Sequence, residues 1–235
     1  MFLAGFSDPA EVRELARTVR ERYDRLDVLV NDAGTWQDRR RIADAWGEVE
    51  YTVAVNHMAP FLLTNCLVPL LETGSRVVTV SSQLHRRGEV DPETFAVHPH
   101  FDGQGAYADS ELANVPFAVE LADRLADTGV TANALHPGAI PATSLSRDTT
   151  GLSSVVWSLM RWLPFTDGVE DGGRAIEYVA TASELDGVTG AYFHQRERRR
   201  PAPAAEDREL RSALWELSAD LAGGDPAAPD VDPLA

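Results

Sequence analysis

The chain has 235 residues, 44% of them hydrophobic, with a formal net charge of −16 at pH 7. Length and apolar content suit one α/β domain with a full core, and the acidity disfavours nucleic acid and anionic membrane as partners. One cysteine, Cys66, excludes a disulfide framework and a cysteine-rich zinc site.

The opening, MFLAGFSDP, is too short and too acidic for a signal peptide, and no apolar run reads as long enough to span a membrane; the expectation is a cytoplasmic protein. Residues 1–6 read as a short strand. Ser7 or Asp8 then caps a helix with Pro9 in its first turn and Val12, Leu15, Ala16, Val19 and Tyr23 at helical spacing. LDVLVN, 26–31, reads as a strand buried on both faces that ends in NDAG. Residues 38–54 are expected to be helical. NHMAPFLLTNCLVPLL, 56–71, is a helix apolar nearly all round, which points to burial or a subunit interface. RVVTVSS, 76–82, is a second buried strand, and 83–104 is loop-like. His98 and His100 flank Pro99 there and read as loop residues, not a metal pair.

A further helix starts near Gly105 and runs to about Asp127, with a kink or break expected at Pro116. Tyr107 and Glu111 share one face of it. VTANALHPG, 130–138, is a third strand. Residues 139–167, with Trp157, Trp162 and Phe165, have the composition of a lid over an apolar pocket. A helix over 171–182, a short strand over 190–194, a solvated basic turn at Arg196–Arg200 and an amphipathic helix over 206–222 complete one domain, 1–222. The tail 223–235, rich in Pro, Ala and Asp, reads as disordered.

Strands alternating with helices imply α/β architecture with a doubly wound parallel sheet. Ligands bind such sheets beyond the carboxyl ends of the strands. Here those ends are NDAG, SSQ and HPG, and the start of the Tyr107 helix makes a fourth wall.

NDAG, VNHMAPFLLT, RVVTVSS, AYADSELANV and LHPG, in this order, resemble the short-chain dehydrogenase/reductase superfamily and its retinol-dehydrogenase-like group. The resemblance implies a Rossmann-like fold and roles by position. Asn56 matches an asparagine that holds a water in a proton relay. Ser82 matches the serine that hydrogen-bonds the substrate carbonyl, and Tyr107 the acid/base. Ala33 and Gly34 match the turn along the cofactor; Pro137, Gly138 and Thr143 match the part that holds the nicotinamide amide. Bare residue chemistry leaves alternatives open: Ser82 could cap a strand end, and Asn56 could cap its helix.

Three departures fall on cofactor binding. Glu111 stands where the family's YxxxK pattern has lysine, and a carboxylate favours the protonated phenol. No G-x-x-x-G-x-G occurs, so the first strands and the glycine-rich turn that seats a diphosphate are expected to be absent. Gly5 stands where an aspartate would contact adenine. Without intervening strands, residues 1–6 are expected to pair with 26–31, or a partner chain to cover that edge.

The reading placed first is therefore an acid/base enzyme without NAD(P), in which Tyr107, Ser82, Asn56 and Glu111 isomerise, dehydrate or cyclise a small apolar carbonyl metabolite. Two alternatives stand beside it. One is an NAD(P)-dependent ketoreductase or alcohol dehydrogenase. The other is a non-catalytic partner of an intact relative. A homodimer through helices 56–71 and 106–127 is expected, with no metal, nucleic acid or membrane.

Overall fold

A computed structural model describes residues 1–138 and 168–223. Helix α1, Pro9–Arg22, starts where the Asp8 carboxylate accepts from the Ala10 N–H at 2.8 Å, and it buries Val12 and Ala16. Strand β1, Val28–Asn31, follows. Helix α2 spans Tyr51–Leu70. The Glu50 side chain caps it by accepting from Thr52 N–H at 3.0 Å. Strand β4, Arg76–Val80, leads by a turn, Gln83–Arg87, to helix α3, Gly103–Arg124. Then come β5, Thr131–His136, α4, Val169–Thr181, β6, Tyr192–His194, β7, Glu197–Arg199, and the helices α5, Pro203–Glu206, and α6, Arg208–Leu221. Strands β2, Ile42–Ala43, and β3, Val49–Glu50, form a separate two-stranded sheet.

The main sheet has the order β1-β4-β5-β6-β7. Its first three pairings are parallel and the last is antiparallel. Helices α1, α2, α3 and α6 supply the core on one face, around Met58, Phe61, Phe117 and Trp215. On the other face α4 packs Ala175 and Val179 against Val78, Leu135 and Phe193. Successive β4 residues Val77 and Val78 thus enter opposite cores, as the strand period requires.

Several expectations are corrected. Residues 1–6 form no strand. The Glu11 carboxylate takes the Gly5 N–H at 2.6 Å and Asp8 N–H bonds to Gly5 O, so this segment closes onto α1. Among the described residues β1 pairs only with β4, and Val30 on this edge is 37% exposed. Residues 38–54 are not one helix: Gly47 and Glu48 both have left-handed φ, 74° and 68°, and turn the chain between β2 and β3. Helix α3 runs through Pro116 unbroken. The basic run is an antiparallel strand, β7, entered through Gln195 at φ 55°.

Helix α2 corrects one further point. Its 20 residues, mean hydropathy 1.4, are long and apolar enough to cross a membrane by composition, and 89% of its most apolar stretch is buried inside the domain. Part of the surface of α2 and α3, the helices expected to form a homodimer, is covered by α6 of the same chain. Trp215 meets Phe61 edge-on at 4.9 Å and stacks on Phe117 at 5.9 Å. The expected lid at 139–167, with Thr143, Trp157, Trp162 and Phe165, and the tail beyond Gly223 lie outside the described residues.

Candidate active site

The carboxyl ends of β1, β4 and β5 converge with the first turns of α3. Asn31 ends β1, its amide donating to Thr64 Oγ1 at 2.9 Å, and Asp32, Ala33 and Gly34 follow as an exposed turn. Ser81 and Ser82 follow β4. Pro137 and Gly138 follow β5, where Gly138 has φ +119° and its N–H faces His136 Nδ1 at 3.4 Å.

Helix α3 enters with Asp102 capping the N–H groups of Gln104 and Gly105. One turn later Tyr107 and Glu111 lie on its buried face, each 6% exposed. Tyr107 lies near both Glu111 and Ser82, and each of them shifts its phenol. The Ser81 hydroxyl and the Ser82 N–H lie near the Glu111 carboxyl and act to lower it. Ser81 Oγ also donates to the Glu111 carbonyl at 2.8 Å, tying α3 to the end of β4. Trp36 stacks on the Tyr107 ring at 4.9 Å.

This environment favours the neutral forms. Burial, more than any other cause, holds the Tyr107 phenol well above its ordinary value of 10, and the Glu111 charge adds to it; the Ser82 hydrogen bond opposes. Burial also pushes Glu111 up to about 8; the hydrogen bond from Tyr107 opposes this and the negative charge of Asp32 reinforces it. Both shifts run toward the neutral phenol and the neutral carboxyl.

Tyr107, Ser82 and Glu111 are brought together as the sequence suggested. Asn56 stands beside them in a different capacity. Its Oδ1 accepts from Thr35 N–H at 2.7 Å, and its Nδ2 donates to Thr35 O and Ser110 Oγ, both at 3.0 Å. It occupies a π-helical turn, Ala54–Met58, of α2, a distortion often found near functional sites. The amide is committed to holding the turn after β1 against α3, and so is not a donor toward a substrate.

Sequence reasoning missed two residues. His85, fully buried, donates from Nδ1 to the Ser82 carbonyl at 2.7 Å and accepts the Ala202 N–H on Nε2 at 3.1 Å, which fixes the chain around Ser82. Its only sequence signal was its place three residues after Ser82. Trp36 follows Gly34 by two, and its position just past the NDAG turn was the available hint. The described residues contain no group of three or more His, Cys, Asp or Glu that could hold a metal.

The fold and this tyrosine–serine pair define the class: an α/β protein whose sheet places a buried phenol and a serine hydroxyl at the carboxyl ends of parallel strands. The short chain dehydrogenase family matches residues 2–151, and the chain belongs to that family. Human retinol dehydrogenase 13 is 35% identical over 224 residues, which cover 90% of this chain and 65% of that protein. The putative daunorubicin C-13 ketoreductase DnrU of Streptomyces sp. (strain C5) is 32% identical, covering 94% of this chain and 74% of that one. The chain therefore spans just under two thirds of the retinol dehydrogenase's length.

Among solved structures, an uncharacterized protein from Mycobacterium paratuberculosis is 28% identical with a TM-score of 0.71, covering 93% of this chain and 73% of that one. A blue fluorescent protein from a metagenomic library, in complex with NADPH, is 26% identical with a TM-score of 0.61, covering 81% and 72%. These findings overturn the expectation of a cofactor-free acid/base enzyme. The relatives are named as dehydrogenases and a ketoreductase, and a solved neighbour carries NADPH. The expectation took the charge reversal at Glu111 as loss of the cofactor, yet a carboxyl group hydrogen-bonds ribose hydroxyls as readily as an ammonium does.

Proposed function

We propose that this chain is an NAD(P)H-dependent carbonyl reductase acting on a small apolar ketone or aldehyde. The observation that carries this reading is the Tyr107 hydroxyl. It is buried and beside Ser82, and it is kept protonated by its surroundings. A phenol held in its neutral form is suited to give a proton to an oxygen that gains charge. It is poorly suited to take one from an alcohol.

The residues around the crevice fit the nicotinamide end of the cofactor. The exposed turn Asp32–Gly34 offers backbone to a ligand, Gly138 holds a positive φ at the end of β5, and the Glu111 carboxyl can accept from ribose hydroxyls. Ala33, Gly34, Pro137 and Gly138 would hold that end, with Thr143 beyond the described residues. Bound there, the reduced nicotinamide supplies a hydride. Ser82 orients the carbonyl through its hydroxyl, and Tyr107 gives the proton. Asn56 holds the wall between the turn after β1 and α3. The names of the relatives support an apolar alcohol or carbonyl substrate, and the ketoreductase name supports the reductive direction.

The experiment is NADPH and NADH oxidation by the purified protein with a panel of aromatic and aliphatic ketones and aldehydes. Tyr107→Phe should lose at least about 10²-fold in kcat/KM. No oxidation of either cofactor with any carbonyl, together with no binding at about 1 mM cofactor, would sink the proposal.

A further inference from the structure

We infer that His85 is a positioning residue for carbonyl reduction: it sets the direction of the Ser82 hydroxyl and ties that serine to the chain segment after β7. This rests on the reductase reading and adds what holds the carbonyl-orienting serine in place. His85 acts through Ser82 and does not touch the substrate.

The bonds that carry the role meet at Ser82. Its carbonyl accepts two hydrogen bonds from His85, one from the backbone N–H at 3.0 Å and one from ring Nδ1 at 2.7 Å. Its Oγ accepts the Leu84 N–H at 3.2 Å. A hydroxyl has one proton to give and two lone pairs. With one lone pair committed to Leu84, the Ser82 proton is left for an acceptor outside the turn Gln83–Arg87. In carbonyl reduction that acceptor is the substrate oxygen.

The ring can fill this role in one form only. A carbonyl oxygen accepts and an amide N–H donates. Nδ1, on the Ser82 carbonyl, therefore carries the proton, and Nε2, which takes the Ala202 N–H at 3.1 Å, is bare. Both nitrogens are used in a single neutral tautomer. His85 exposes no surface, and its ring centre lies 4.9 Å from that of Tyr192 on β6.

The far side of the ring reaches the end of the domain. Ala202 is buried in one cluster with Tyr192, Ala205 and Leu112 of α3. Two residues before it, the Arg200 carbonyl accepts from the Arg86 guanidinium at 2.5 Å. These two bonds clasp the serine turn to chain that lies 117 and 114 residues further on. Ser82 is thus delivered by β4 and held by the segment between β7 and α5.

Two substitutions separate the two ends of the ring. In His85→Asn the side-chain NH₂ lies where Nδ1 lies, so the Ser82 bond is kept and the Ala202 bond is lost. In His85→Gln the side-chain oxygen reaches the place of Nε2, so the Ala202 bond is kept and the Ser82 bond is lost. Each leaves one buried group without its partner, and both should lower the melting temperature alike. Carbonyl reduction should not follow stability. The Gln variant should lose at least about 10-fold in kcat, with KM for the reduced nicotinamide unchanged. The Asn variant should keep most of the wild-type kcat. Equal loss in both, loss in Asn alone, or no loss in either overturns the inference.

NMR of the ligand-free protein gives a readout apart from turnover. Ring-nitrogen shifts of the wild type should show His85 protonated on Nδ1 and bare on Nε2; the opposite tautomer overturns the inference. Amide exchange should show Leu84 losing protection in the Gln variant and keeping it in the Asn variant, with Ala202 the reverse. Loss at both amides in both variants would make the ring a structural residue alone. Absence of turnover with either nicotinamide overturns the reductase reading alone, since the tautomer and the exchange pattern decide the hold on Ser82 by themselves.

Discussion

Asn56 and Ser110 are joined by a buried hydrogen bond of 3.0 Å, and Ser110 Oγ passes the connection on by donating to the Tyr107 carbonyl at 2.8 Å. The same Asn56 amide holds both backbone groups of Thr35. One side chain thus fixes the turn after β1 to the helical turn that carries the phenol. Asn56→Ala should lower stability by roughly 2–4 kcal/mol, since it leaves buried groups without partners, and Ser110→Ala by about 1–2 kcal/mol. A double-mutant cycle in urea should give a coupling of at least about 0.5 kcal/mol. Strict additivity would mean that the bond contributes nothing to the fold.

The raised Glu111 carboxyl makes stability depend on pH in a direction unusual for an acid. Its folded-state value, about 8, lies above the ordinary 4.5, so the folded protein binds the proton more tightly than the unfolded chain. The favourable contribution of the neutral form is complete below about 4.5 and is lost as pH rises through 8. Over that window the loss is roughly 5 kcal/mol. Urea titrations of wild type and Glu111→Gln should diverge steadily across it, with the Gln variant the more stable at alkaline pH. Parallel curves would show that the carboxyl is not held neutral.

His57 acts on the acid side. Its ring lies fully buried between Phe95 and Phe117 edge contacts, with Nε2 at 2.9 Å from Ser218 Oγ and Nδ1 at 3.3 Å from Asn114 Oδ1. Burial lowers it from 6.5 to about 4. The neutral ring therefore contributes its stability in full above 6.5, and this is lost as pH falls through 4, by roughly 3 kcal/mol. His85, lowered chiefly by burial, works in the same direction. In His57→Gln the wild-type-minus-variant difference should shrink between about pH 7 and pH 4. A constant difference would mean that the ring is already charged or exposed.

Some of this was legible in the residues and some was not. β4 and β5 are short runs buried on both faces, β1 reads the same way but is an edge strand with Val30 exposed, and the polar ends of the three, NDAG, SSQ and HPG, locate the crevice without tertiary information. Tyr107 and Glu111 share a face by helical period alone. The β2–β3 hairpin was not legible, because it depends on left-handed φ at Gly47 and at a glutamate, Glu48, whose side chain gives no hint of it. The work of His85 and Asn56 lies in contacts across the fold, His85 to residue 202 and Asn56 to residue 110. The cofactor reading failed for a related reason. The effect of a carboxyl at position 111 is decided by its burial and its donors, and neither is written in its own letter.

Gly88 approaches α3 so closely that a side chain there has no room. A Cβ would lie 2.4 Å from the Ala108 carbonyl oxygen and 2.9 Å from Leu112 Cβ. These are the neighbours of Tyr107 and Glu111, so the relief must come from moving the helix that carries the site. Gly88→Ala should cost about 1–3 kcal/mol and should separate Tyr107 from Ser82, lowering carbonyl reduction without touching either residue. Gly173→Ala is the control. It lies in α4 with nothing within 4 Å of its added carbon, and it should stabilise by roughly 0.5–1 kcal/mol. Equal melting shifts in the two variants would refute the packing argument.

β1 carries the last prediction. Among the described residues its outer side pairs with no strand, and Val30 is 37% exposed there. The N-terminal segment closes onto α1 through the Gly5–Glu11 bond and leaves Leu3 85% exposed. Unpaired backbone and apolar side chains on one edge favour association with another strand, and a lysine on the edge opposes it. Val30→Lys should therefore reduce concentration-dependent self-association in sedimentation velocity. Its urea stability should change by less than about 0.5 kcal/mol, since the position is on the surface. If the variant associates as the wild type does, the contact lies elsewhere. If instead it unfolds, Val30 is covered in solution by chain that packs on β1, and the edge is closed.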